Sequence, residues 1–147
     1  LKRFIGMLTV AFSAVIAVLT MAAPASADPG QYASVEIVIL ESGEMVEKSE
    51  YETLDYDEGY LTNGTLSVYT QYCDIVTVDF YKSGGYEIRA SLGYVSGIKA
   101  PNAAYETMNT GDRITETWNN QNLSGDVIGA MTVTGQRTFY TPAVRCD

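Results

Sequence analysis

The chain contains no histidine. This removes the side chain that most often serves as general base for a serine or cysteine nucleophile, and with it any Ser-His-Asp or Cys-His enzyme. It also removes the commonest transition-metal ligand, and a zinc site built without histidine needs more thiolates than Cys73 and Cys146, the two cysteines present, can supply. Basic residues are scarce, with nine Lys and Arg against 18 Asp and Glu and a net charge of −9. Nucleic acid and anionic bilayers both select clustered Lys and Arg, so neither is an expected partner. The acid excess serves solubility, and a cationic partner surface is the sharper alternative. Beyond the N-terminal apolar segment there is no long helical period, no internal repeat and no low-complexity linker.

That N-terminal segment is the first positive feature. Lys2 and Arg3 precede an apolar run from Phe4 to Met21, and Ala25-Ser26-Ala27 supplies a small-x-small cleavage pattern. The expectation is a signal peptide over residues 1–27, a signal helix followed by a single secreted domain over residues 28–147. The competing expectation is a retained membrane anchor, because about 18 apolar residues are marginally enough to span a bilayer. Pro24 and the Ala/Ser cluster favour cleavage, after which no membrane association is expected. Removal of the segment takes away Lys2 and Arg3 and no acid, so the exported part is more acidic than the whole chain. Export also makes a Cys73–Cys146 disulfide the default expectation, worth about 4 kcal/mol on the chain-entropy model.

The exported part reads as strands. Ser34 to Leu40 is short, β-branched and bounded by Gly30 and Gly43. Glu41 to Glu58 fits neither period cleanly: its first half reads as a strand or short helix and its Asp55-Tyr-Asp57-Glu58-Gly59 end as a loop. Thr65 to Tyr72 and Asp74 to Lys82 alternate apolar with polar and meet near Cys73. Tyr86 to Val95 alternates too, with Tyr86, Ile88, Ala90, Leu92 and Tyr94 on one face and Glu87, Arg89 and Ser91 on a wet one. Ser83-Gly84-Gly85 between the last two strands predicts a β-hairpin. Gly97 to Ala104 reads as a loop. Further strands are expected over Arg113 to Trp118, Val127 to Thr134 and Arg137 to Thr141, with turns at Thr110-Gly111-Asp112, Ser124-Gly125-Asp126 and Gly135-Gln136. Short strands at this spacing predict an all-β fold, a small antiparallel sandwich or barrel.

Carboxylates are plentiful, but no spacing singles out a pair for glycosidic hydrolysis, and no catalytic residue is assigned. Asp55-Tyr-Asp57-Glu58-Gly59 resembles half a calcium loop, yet it lacks the third early ligand and the distal glutamate of an EF-hand, so solvated carboxylates on a turn are expected and no metal or other cofactor. Tyrosine is abundant, with 11 in the chain. Amphipathic aromatics suit both sheets and interfaces. Tyr51, Leu54, Tyr56, Asp57, Glu58 and Tyr60 form the candidate interface segment, and Trp118, the single tryptophan, is the candidate ligand platform, with a core position as its competing assignment. Asn63-Gly-Thr65 and Asn122-Leu-Ser124 match the glycosylation acceptor pattern.

From Gly64 onward the chain resembles the spore-associated protein A family of small secreted actinobacterial β proteins. The residues that carry the resemblance are Gly64-Thr-Leu-Ser-Val-Tyr69, Cys73-Asp-Ile-Val-Thr-Val78 and the closing Arg145-Cys146-Asp147. Where that family has a further cysteine, this chain has Gly125-Asp-Val-Ile128. The resemblance implies a non-enzymatic protein of the cell or spore surface, or a subunit of a larger secreted assembly. Together these features point to binding outside the cytoplasm, as a subunit or adaptor of an extracellular protein complex such as a toxin or surface assembly, with another secreted protein as partner. A carbohydrate-binding domain with a glycan partner, a secreted protease inhibitor using the loop Gly97 to Ala104, and a carboxylate-only hydrolase are the alternatives.

Overall fold

The computed structural model describes residues 30–54 and 56–146; the signal-peptide segment and Asp55 of the acidic turn lie outside the described residues. The protein is all-β. Its elements are β1 (Gln31–Leu40), β2 (Met45–Glu47), α1 (Lys48–Thr53), β3 (Tyr60–Gln71), β4 (Ile75–Lys82), β5 (Ile88–Val95), β6 (Glu106–Met108), β7 (Arg113–Trp118), β8 (Gly125–Val133), β9 (Thr138–Tyr140) and β10 (Val144–Cys146). Two antiparallel sheets form, the first in the order β2-β1-β3-β4-β7 and the second in the order β10-β8-β5-β6, with β9 also paired to β8. Among the described residues no helix is long and apolar enough to cross a membrane.

Period-two alternation builds the core. Val35 and Ile37 of β1, Leu66 and Val68 of β3, and Val76, Val78 and Phe80 of β4 point toward Ile88, Leu92 and Tyr94 of β5 and Val127, Met131 and Val133 of β8. The sheets approach closely at Gly129, where an added Cβ would stand 2.9 Å from the Val68 Cβ. Cys73, in the β3–β4 turn, pairs with Cys146 of β10, Cα to Cα 5.4 Å, and the bond ties the first sheet to an edge strand of the second. Tyr72 and Cys73 both have positive φ, 53° and 51°, and the Asp74 N–H closes this turn on the Gln71 carbonyl at 3.1 Å.

Three local expectations are corrected. The chain from β4 to β5 is not a hairpin, because β4 pairs with β3 and β7 while β5 pairs with β6 and β8. Residues 83–85 carry the chain from one sheet to the other. Alternation could not distinguish the two cases, since the inner faces of a sandwich look at each other and both strands present their apolar residues inward. A bulge decides the matter: Ile37 pairs with Gly64 and Val38 with Thr62, leaving Asn63 as the extra residue. The Asn63 carbonyl accepts from both the Ser83 and Gly84 N–H groups, at 2.8 and 3.1 Å, and draws the chain across.

The second correction concerns Ser91, which is buried rather than wet. Residues 101–103 fold back over β5: the Ser91 hydroxyl donates to the Ala103 carbonyl at 2.7 Å, and the Ala103 N–H donates to the Leu92 carbonyl at 2.7 Å. The third is Tyr86, which is exposed and outside the core; its hydroxyl donates to the Gly43 carbonyl at 2.8 Å. The ambiguous segment after β1 resolves as both alternatives in succession, β2 and then α1.

Candidate binding face

The outer surface of the first sheet, β2-β1-β3-β4-β7, is divided into two regions by the Asn63 bulge. On one side Val38, Leu40 and Val46 form a second apolar cluster, which Tyr51 and Tyr56 cover. The six-residue α1 has no side-chain N-cap bond, so packing rather than intrinsic propensity holds it there. Its Tyr51 stacks on Tyr56 with centroids 5.5 Å apart and planes 4° apart, meets the edge of Tyr60 at 4.5 Å, and donates its hydroxyl to the Glu58 carbonyl at 2.8 Å. Burial pushes the Tyr56 hydroxyl above its ordinary pKa, helped by the charges of Glu50 and Glu44. Glu58 accepts from the Ser42 N–H at 2.8 Å and hydroxyl at 3.0 Å, and so fastens the β1–β2 turn. Arg137 pairs with Glu50 and clasps the helix to the second sheet. Of the candidate interface segment, Leu54, Asp57 and Tyr60 are exposed, and Tyr60 lines a shallow groove of about 240 Å³ with Leu61.

On the other side of the bulge the sheet is largely open, with Ser67 near its centre buried and α1 and Pro142 flanking Ser34 and Glu36. Strand register lines up three rows of outward side chains. The first is Tyr32, Tyr69, Thr77 and Thr117; the second is Ser34, Ser67, Asp79 and Thr115; the third is Glu36, Thr65, Tyr81 and Arg113. Tyr32, Tyr69 and Tyr81 are 63%, 37% and 45% exposed. The polar members are held by one another. Asp79 accepts from Arg113 Nε and the Thr115 hydroxyl, both at 2.6 Å, and the Thr77 and Thr117 hydroxyls bond at 3.0 Å. Glu36 accepts from Lys48 Nζ at 3.0 Å. The Asp79 carboxylate raises the pKa of Arg113 through its hydrogen bond and its charge, and Glu36 does the same for Lys48. Gly30 permits the Tyr69 ring to lie against the chain just before β1, a position that any Cβ would occupy.

Trp118 ends the inward row of β7 opposite Val76. It is half-buried against the core, its indole edge-on to Tyr94 at 5.2 Å and 69°. Burial raises the pKa of the Tyr94 hydroxyl, which donates to Gln121 Oε1. In the segment 97–104, Ile98 is fully exposed on a turn closed by reciprocal Ser96–Lys99 backbone bonds of 2.9 and 3.0 Å. Asn122 is exposed, whereas Asn63 is fully buried, so the first acceptor triplet is hidden in the fold.

A second polar group lies inside the sandwich. The bulge turns Asn63 inward beside Lys82, which ends the inner row of β4 and is itself fully buried. Lys82 Nζ and Asn63 Nδ2 both donate to the Gly84 carbonyl, the latter at 3.4 Å, and Asn63 Oδ1 has no partner. Burial lowers the Lys82 pKa against the opposing charge of Asp112. The group is sealed from solvent and serves the sheet-to-sheet crossover. Among the described residues no three metal-binding side chains converge.

The open face was not among the candidates drawn from sequence. Its signal was the identity of the outward residues on three alternating strands, Thr65/Ser67/Tyr69, Thr77/Asp79/Tyr81 and Arg113/Thr115/Thr117, but their alignment depends on a strand order that only the fold supplies. Compared with protein-family models, curated proteins and solved structures, the chain matches none.

Proposed function

We propose that this protein is a non-enzymatic binding module that works outside the cytoplasm and holds its partner on the outer face of the first sheet. The observation that carries the proposal is the set of three solvent-facing tyrosines, Tyr32, Tyr69 and Tyr81, placed among hydroxyl side chains on hydrogen-bonded strands. Tyrosine offers a large contact area with only two side-chain torsions to immobilise, and Ser and Thr add adaptable hydrogen bonding. Strands hold these groups more precisely than loops do. The N-terminal signal pattern, the Cys73–Cys146 pairing and the resemblance to spore-associated protein A support export. The lack of histidine supports holding rather than chemistry.

Immobilised wild-type protein and the Tyr32→Ala/Tyr69→Ala double variant are passed over the producing organism's culture fluid and solubilised envelope material. A component retained by the wild type and released by the variant is the expected result. Identical retention by both proteins contradicts the assignment of the face. A second reading, protease inhibition, is favoured by the full exposure of Ile98 on its tight turn. It predicts inhibition of a secreted protease that Ile98→Asp abolishes.

A further inference from the structure

The chemistry of the open face names its occupant, on the premise that this face is the binding surface. The chain as a whole carries a net charge of −9, yet both acids on the face are neutralised where they stand, Asp79 by Arg113 and Glu36 by Lys48. A charged partner finds no net charge to pair with there, and an anionic polymer is repelled by the rest of the molecule. The face carries none of the exposed large aliphatic residues among those described, Leu54, Leu61 and Ile98. What it offers is aromatic rings alternating with hydroxyls.

A ligand that fits must present apolar C–H faces of about the area of an aromatic ring, with hydroxyls at their edges. A pyranose sugar does this: its C–H face lies on a tyrosine ring while its hydroxyls exchange hydrogen bonds with Ser, Thr and the polar tip of the tyrosine. The layout favours a chain over a single unit. Tyr32 and Tyr69 are direct cross-strand partners, and Tyr81 lies four residues along β4 from Thr77, the partner of Tyr69, a run of about 13 Å. We propose that the Tyr32, Tyr69 and Tyr81 face binds an uncharged polysaccharide, several hexopyranose units of one chain lying across the strands.

The test is native affinity electrophoresis of the purified protein in gels containing soluble neutral polysaccharides (glucans, mannan, xylan, galactan) and, in parallel, the anionic alginate and hyaluronan. The expected result is retardation by at least one neutral polymer, persisting at 0.5 M salt (about a 4–5 Å Debye length), and none by the anionic ones. Tyr32→Ala and Tyr69→Ala each weaken that binding about tenfold or more, Thr117→Glu weakens it as well, and Tyr140→Ala on the other sheet leaves it unchanged. Near-ultraviolet circular dichroism confirms that each variant is folded. Retardation by anionic polymers alone, or no retardation by any neutral polymer, overturns the glycan assignment. If the gels are silent but a protein is captured by the wild type and lost by the double variant, the face binds and its occupant is a protein. Binding that ignores both tyrosine changes overturns the face and the glycan together.

Discussion

Two groups of tyrosines share the outer surface of one sheet and differ in almost everything else. Tyr51 and Tyr56 stack on each other and roof the apolar cluster of Val38, Leu40 and Val46, with Tyr60 edge-on to Tyr51 at the rim. Tyr32, Tyr69 and Tyr81 cover no apolar cluster and are partly open to solvent, the Tyr69 ring lying against Gly30. The boundary between them is the Asn63 bulge in β3, the strand that carries both Tyr60 and Tyr69. On the Tyr60 side of the bulge the outward residues of β1 and β2 are aliphatic and need a cover, which α1 provides. On the Tyr69 side they are mostly hydroxylated and need none. Local tyrosine density therefore marks structure at one end of the sheet, and the sparser set at the other end is the one free to bind.

The largest test asks whether both groups ride on one cooperative body. Replacing Cys73 and Cys146 with serine is expected to lower stability by about 4 kcal/mol. Urea unfolding followed by Trp118 fluorescence and by far-ultraviolet circular dichroism should still coincide. Two separate transitions would break the description of a single sandwich. Next in size is the roof itself. Tyr51→Ala removes two ring contacts and a hydrogen bond over a buried cluster and is expected to cost about 2–3 kcal/mol, whereas Tyr32→Ala stays within about 0.5 kcal/mol. Equal losses in chemical denaturation would erase the distinction between the groups.

The boundary gives a test of similar or smaller size and opposite sign. Lys82 is buried without a carboxylate in contact, so Lys82→Met is expected to stabilise the protein by about 1–4 kcal/mol. Its folded pKa lies below the unfolded value of about 10.4, and the folded chain therefore binds fewer protons. The lysine penalty is complete at pH below the folded value and fades as pH rises toward the unfolded one. The stability difference between variant and wild type should shrink along that climb, and a difference that stays flat with pH would show that Lys82 is not held below its ordinary range. The smallest effect belongs to Arg113→Ala, an exposed ion pair whose loss should leave the thermal melt almost unchanged. Its mark should appear in binding: Asp79 loses the partner that holds it in its row, and the neutral polymer is bound more weakly at low and high salt alike.

Much of this fold was legible in the residues. Alternation over Thr65 to Tyr72 and Asp74 to Lys82 finds the second part of β3, which begins earlier at Tyr60, and β4; the Gly135-Gln136 turn separates β8 from β9, and Pro142 falls just after β9. The Glu41 to Glu58 segment resisted because its apolar residues answer to two surfaces: Met45 enters the main core, while Val46 and Tyr51 serve the outer cluster. Ser91 reads as wet because polarity is its only local clue, and the cover that buries it arrives ten residues later. Trp118 could not be assigned to core or platform from a Thr-rich strand, since its neighbour Tyr94 belongs to the opposite sheet.

By itself the sequence determined what depends on near neighbours: which residues alternate, where the chain turns, and that no histidine chemistry is available. Side-chain direction along a strand follows from the pleat, so a few consecutive residues suffice to set it. Only the tertiary structure decided which strands lie side by side, that residues 83–85 change sheets, and that Tyr32, Tyr69 and Tyr81 share an open face. These are matters of long-range hydrogen bonding and of two sheets competing to bury the same apolar residues, and a period of two is the same whichever partner wins.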